Sequence, residues 1–164
     1  MTEQTKNDIS HLQVNQQQAI QQQVPPIDNP FLTMLGVQFL ENGDGQAHIA
    51  LDLTEQHMNS WQITHGGVLM TLLDVVMAMA GRSLHPDQKG VVTVEMKTSF
   101  LQPGGVPGGR LDAYGKAFFQ SSTMCFCEAE IRHGERLIAK AMGTFKYLKQ
   151  LRTGERMRKI CGSD

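Results

Sequence analysis

The stretch His65-Gly66-Gly67-Val68-Leu69-Met70-Thr71-Leu72-Leu73-Asp74-Val75-Val76-Met77-Ala78-Met79-Ala80-Gly81-Arg82 decides the architecture of this chain. From Val68 to Ala80 its apolar residues leave no polar stripe, the pattern of a helix buried on nearly all sides. Something must surround such a helix. Before it, Gln46 to Leu53 alternates, with Ala47, Ile49, Leu51 and Leu53 on one face, and Gly43-Asp44-Gly45 turns an earlier strand into this one. After it come four more alternating runs, Val91 to Leu101, Arg110 to Phe119, Thr123 to Arg132 and Arg136 to Tyr147. His133-Gly134-Glu135 reads as a hairpin turn, and Leu137, Ala139, Ala141, Gly143, Phe145 and Tyr147 share one face of the last strand. Strand, strand, helix, then four strands is an α+β layout in which a curved antiparallel sheet wraps a single helix.

Working outward, Asp28 or Asn29 caps a short helix that starts at Pro30, carries Phe31, Leu32 and Leu35, and stops at Gly36. The Gln-rich segment from Gln13 to Gln23, followed by Val24-Pro25-Pro26, reads as a tail and extended linker. Beyond Tyr147 the chain carries Lys149, Arg152, Arg156, Arg158 and Lys159 among few apolar residues. These features divide the sequence into a tail over 1–26, one domain over 27–147 and a basic tail over 148–164.

The 164 residues, 40% hydrophobic, suffice for one well-buried core and not for two ordinary domains. A formal net charge of -1 gives no general electrostatic reason to expect nucleic acid or an anionic membrane as partner. Cys125, Cys127 and Cys161 form neither an even disulfide set nor a Cys-x-x-Cys motif, which fits a reducing compartment. The polar start lacks the charged-then-apolar pattern of a signal segment, and no apolar run approaches the roughly 20 residues that span a bilayer. The expected location is the cytoplasm.

Chemistry points to two places on the central helix. Asp74 is the only ionisable group between His65 and Arg82. A carboxylate among apolar neighbours is costly unless paired, protonated or kept for function. The plain alternative is an Asp bonded to backbone groups or to Thr71. At the helix start, Gly66 and Gly67 leave backbone N–H groups uncovered where the helix dipole favours negative charge, as in an oxyanion hole; the alternative is a simple tight turn. Eight residues separate Gly66 from Asp74, or about 12 Å along one helix. If both act on one carbonyl, Asp74 must come from a second subunit whose helix runs antiparallel, which predicts a two-fold homodimer with two composite sites. The six histidines lack metal-ligand spacing, and no Gly-x-Ser-x-Gly elbow occurs. No cofactor is expected. Cys125 and Cys127, pointing the same way from one strand, read as small core residues.

Asn59, then His65-Gly66-Gly67, then Leu72 and Asp74 resemble the signature of the PaaI-like hotdog thioesterases, an asparagine six residues before the histidine and an acid nine after it. The resemblance spans Pro30 to Tyr147 in element order, and Val92-Thr93-Val94-Glu95-Met96 is similar to the family's next strand, with Thr93 where Ser is familiar. It implies a hotdog fold and hydrolysis of acyl-coenzyme A thioesters. The Gly66 amide would hold the carbonyl, and Asp74 of the neighbouring subunit would attack it or activate water. Asn59 would position that water or the carbonyl, His65 would shape the site, and Thr93 would bond the nucleophile or its water. Residue by residue there are plainer roles: a loop turn for Asn59, a helix cap for His65, ordinary strand composition for Thr93. Gly67 and the small Ala78 join the substrate pocket in this reading. Lys97 and Arg110, with Lys116 and Arg132, are candidates for the coenzyme A phosphates. A dimer, or a dimer of dimers, is the expected assembly.

Two other functions suit the same layout. A hydratase or dehydratase would use His65 as a general base, against which stands the nine-residue spacing to Asp74. A non-catalytic acyl-coenzyme A sensor would keep the pocket without needing Asp74.

Overall fold

The computed structural model describes residues 29–85 and 90–148. Helix α1 (Pro30–Leu35) is capped by Asn29, whose Oδ1 accepts from the Phe31 and Leu32 N–H groups, and Gly36 closes it with φ of 75°. Strand β1 (Gln38–Gly43) turns through Asp44-Gly45 into β2 (Gln46–Asp52). A single 3-10 turn, Glu55–His57, leads by a short loop to the central helix α2 (Gly66–Ser83). Then follow β3 (Gly90–Phe100), β4 (Arg110–Gln120), β5 (Met124–His133) and β6 (Arg136–Leu148). Leu148, expected to open the C-terminal tail, is the last residue of β6; the rest of that tail with Cys161, the N-terminal tail, and Asp28 lie outside the described residues.

All six strands form one antiparallel sheet in the order β1-β2-β4-β5-β6-β3. The β5-β6 hairpin follows the turn read at His133-Gly134-Glu135. The position of β3, returned across the sheet to pair with β6 at the far edge, was not legible in the sequence.

The inner face of the sheet holds α2. Leu69, Leu72, Leu73, Val76 and Met77 of the helix pack with Ile49, Leu51, Leu111, Ile131, Ile138 and Phe145 of the strands, all buried. At two places between α2 and the sheet the packing is so close that only glycine fits: a Cβ on Gly115 would clash with the Val76 backbone carbonyl, and one on Gly81 with the Cys125 side-chain sulfur. Cys125 and Cys127 are fully buried there as core side chains. By length and composition α2 could span a membrane, but its packing inside the sheet makes it a core helix.

Two expectations need correction. The helix is not buried on nearly all sides: Gly67 and Met70 are exposed, and Gly66, Thr71, Asp74 and Ala78 are half-buried, which leaves an open stripe beside β3. The apolar residues Met70, Val75 and Ala78 hid this stripe from the sequence pattern. Strict alternation along the last strand also fails, because an irregularity in its pairing with β5 between Ile131 and Arg132 places Ile138 as well as Ala139 in the core. A bulge of this kind shifts the inward face by one residue.

Candidate active site

The start of α2 is held from three directions. His65 N donates to the His57 carbonyl (2.8 Å), and Thr64 N and Oγ1 both donate to the Gly105 carbonyl (3.0 and 3.1 Å), tying the helix to the loop after β3. His57 is a satisfied core histidine: Nδ1 accepts from Thr54 N, and Nε2 donates to the Leu35 carbonyl of α1. His65 itself is the N-cap, with Nδ1 accepting from Gly67 N at 2.9 Å. Gly67 therefore has its amide engaged. The Gly66 N–H has no partner among the described residues and lies in the first turn, where the helix dipole favours negative charge.

Two turns along the helix, Asp74 Oδ1 accepts from Thr93 Oγ1 of β3 at 2.6 Å. Its partner is not Thr71, whose hydroxyl bonds back to the Gly67 carbonyl. A charge-assisted bond of this length fixes one carboxylate oxygen and leaves the other available. Ala78 follows one turn later on the same side, half-buried against the core.

Asn59 shapes the loop before the helix. Its Oδ1 accepts from Trp61 N (2.8 Å) and Ile63 N (3.4 Å), and the turn it makes carries Gln62 at φ of 59°. That leaves Asn59 only its side-chain amide N–H groups to offer a ligand.

The candidate cations stand apart from this stripe. Lys97 projects from the outer face of the sheet, where with Ser99, Tyr114, Lys116, Glu128 and Met142 it lines a cavity of about 500 Å3. Arg110 is engaged by Asp52, Gln38 and Asp112 near the start of β4. The Gln38 amide and the Arg110 guanidinium hold the Asp52 carboxyl below its usual range. Arg132 pairs with Glu130 at 2.6 Å. Within one protomer, none of these four cations is brought to Asp74 by the described contacts.

Strand β3 borders the stripe as an edge of 11 residues whose outer side has no strand partner among the described residues, with Val92, Val94 and Phe100 exposed. The ring of Phe100 stands against Gly66. No sequence pattern singles Phe100 out; only the fold brings the end of β3 to the start of α2.

Residues 62–140 match the Thioesterase superfamily. A Pseudomonas aeruginosa relative, "Putative esterase PA0474", is 32% identical over 118 residues, covering 71% of this chain and 87% of its own. Among solved structures, a conserved protein of Pseudomonas aeruginosa superposes with a TM-score of 0.70 at 29% identity, over 76% of this chain and 100% of that one. A variant of the phenylacetic acid degradation protein PaaI from Thermus thermophilus gives 0.67 at 25% identity, over 73% and 100%. With its helix-wrapping six-stranded sheet, this chain belongs to the thioesterase superfamily and has the hotdog fold of its PaaI-type members.

Proposed function

We propose that this chain hydrolyses acyl-coenzyme A thioesters at two composite sites of a homodimer, with Asp74 as the reacting carboxylate and Gly66 as the oxyanion donor. The observation that carries this reading is the pairing of Asp74 with Thr93 on an open helix stripe that also bears the unpartnered Gly66 amide. An ionised carboxylate and a preorganised N–H are what thioester hydrolysis requires.

The dimer follows from the same stripe. A long edge strand with exposed apolar side chains is a template for pairing with another chain. Two-fold pairing along β3 would cover Val92 and Val94 and bring the Asp74 of one protomer toward the Gly66 of the other. In that site Gly66 N–H donates a hydrogen bond to the carbonyl oxygen as negative charge grows on it. Asp74 either attacks the carbonyl carbon or takes a proton from the water that does. With water as the attacker, the C–S bond of the tetrahedral intermediate breaks, the proton held by Asp74 passes to the departing sulfur, and the free acid and coenzyme A leave. With Asp74 as the attacker, the C–S bond breaks to leave an acyl–Asp74 anhydride, and a water molecule then cleaves it, giving the free acid, restoring Asp74 and supplying the proton for the coenzyme A thiolate. Asn59 is left with a donor role, and His65 acts by capping, which holds the first turn in place. That engagement of His65 Nδ1 speaks against a hydratase that uses it as a base.

Release of free thiol from a panel of acyl- and aryl-coenzyme A esters tests this function. Wild type should turn over at least one class, and Asp74→Asn should lose roughly 100-fold or more with fold and oligomer size unchanged. Tight binding without thiol release would make the protein an acyl-coenzyme A binding module instead.

A further inference from the structure

We propose that Phe100 sets the size of the acyl group accepted beside the Gly66 amide, an inference that rests on the thioester reading above. Atoms Cε1 and Cζ of its ring lie 3.7 Å from the point where a Cβ on Gly66 would stand. Apart from its chain neighbours, no other described side chain comes within 4 Å of that point. The ring is thus the wall next to the unpartnered N–H. It is a wall with an open side, because Phe100 keeps 52% of its surface exposed.

The backbone that carries the ring is held in the sheet. Phe100 pairs with Ala139 in the sheet, and the next two residues, Leu101 and Gln102, both donate to the Ile138 carbonyl at 2.9 and 3.1 Å. Met70, one turn after Gly66 on the same helix face and 42% exposed, adds a second apolar surface. A thioester carbonyl bonded to Gly66 N–H must lay one of its two arms against these side chains. The coenzyme A arm carries amides that need hydrogen-bond partners, which Phe100 and Met70 do not supply. The acyl arm is the one that fits, and the ring gives a short chain an apolar surface to lie against while limiting the room left for a long one.

The test is kcat/KM for wild type, Phe100→Ala and Phe100→Leu on saturated acyl-coenzyme A esters from acetyl to dodecanoyl. Phe100→Ala should lower the value for short chains roughly tenfold and leave or raise it for long ones, moving the optimum to longer chains. Phe100→Leu should restore most of the wild-type profile. A fall by one common factor along the series, an unchanged profile, or loss of turnover together with dissociation into protomers would overturn the proposal, the last by making Phe100 an interface residue. Absence of thiol release from every ester by wild type is a different outcome, and sinks the thioester reading itself.

Discussion

The hydrogen bond from Thr93 Oγ1 to Asp74 Oδ1 joins the edge strand to the helix at the one acidic position of that helix. A hydrogen bond to a charged group is worth about 1.5–3 kcal/mol, enough to fix which carboxylate oxygen faces a substrate. Thr93→Val should therefore lower kcat roughly tenfold or more while Thr93→Ser stays close to wild type, measured by thiol release with circular dichroism confirming the fold. Equal losses in both variants would mean that the hydroxyl is not what matters. At this scale the sequence was partly legible. Asp74 and Gly66 stand out because a lone acid and a glycine pair interrupt an apolar run, whereas Phe100 carries no such contrast. Thr93 was suggested only by family resemblance, as a partner of the nucleophile or its water, and with β3 placed beside α2 its hydroxyl bonds Asp74 itself. Lys97 and Arg110 were candidates by charge alone; within the chain Lys97 faces outward from the sheet and Arg110 bonds Asp52.

Elements were legible where local chemistry sets them. Asn29, Pro30 and Gly36 bound α1 as cap, first-turn proline and left-handed stop, and glycine-containing turns bound the β1-β2 and β5-β6 hairpins. Pairings between distant segments were not, since periodicity fixes which face a strand buries and not which neighbour it takes. Hence the edge position of β3 and the register shifts at Thr93/Glu95, Ala117/Phe119 and Ile131/Arg132 are findings of the structure. The close contact of β4 with α2 gives a stability prediction. Gly115→Ala puts a methyl into the Val76 carbonyl and should destabilise the protein by roughly 1–3 kcal/mol, read as a lower urea midpoint at unchanged slope. A midpoint equal to wild type would show that the helix can move away from β4 without cost.

For the molecule as a whole, the sheet covers α2 on its inner face and stops at β3, so the stripe with Gly66, Met70 and Asp74 stays open among the described residues. In the proposed dimer a second copy related by a two-fold axis would close both stripes at once, and each site would draw its carboxylate and its amide from different chains. Complementation between two inactive variants tests this most directly. Asp74→Ala removes the carboxylate. Gly66→Pro removes the amide hydrogen at the first helical position, where proline is tolerated, and the extended His65 (φ -64°, ψ 136°) already suits a following proline. Random mixing of equal amounts makes half of the dimers mixed, each with one intact site of two, so about a quarter of wild-type thiol release should return. No recovery in dimers shown by mass to be mixed, each variant being folded, would contradict the composite site.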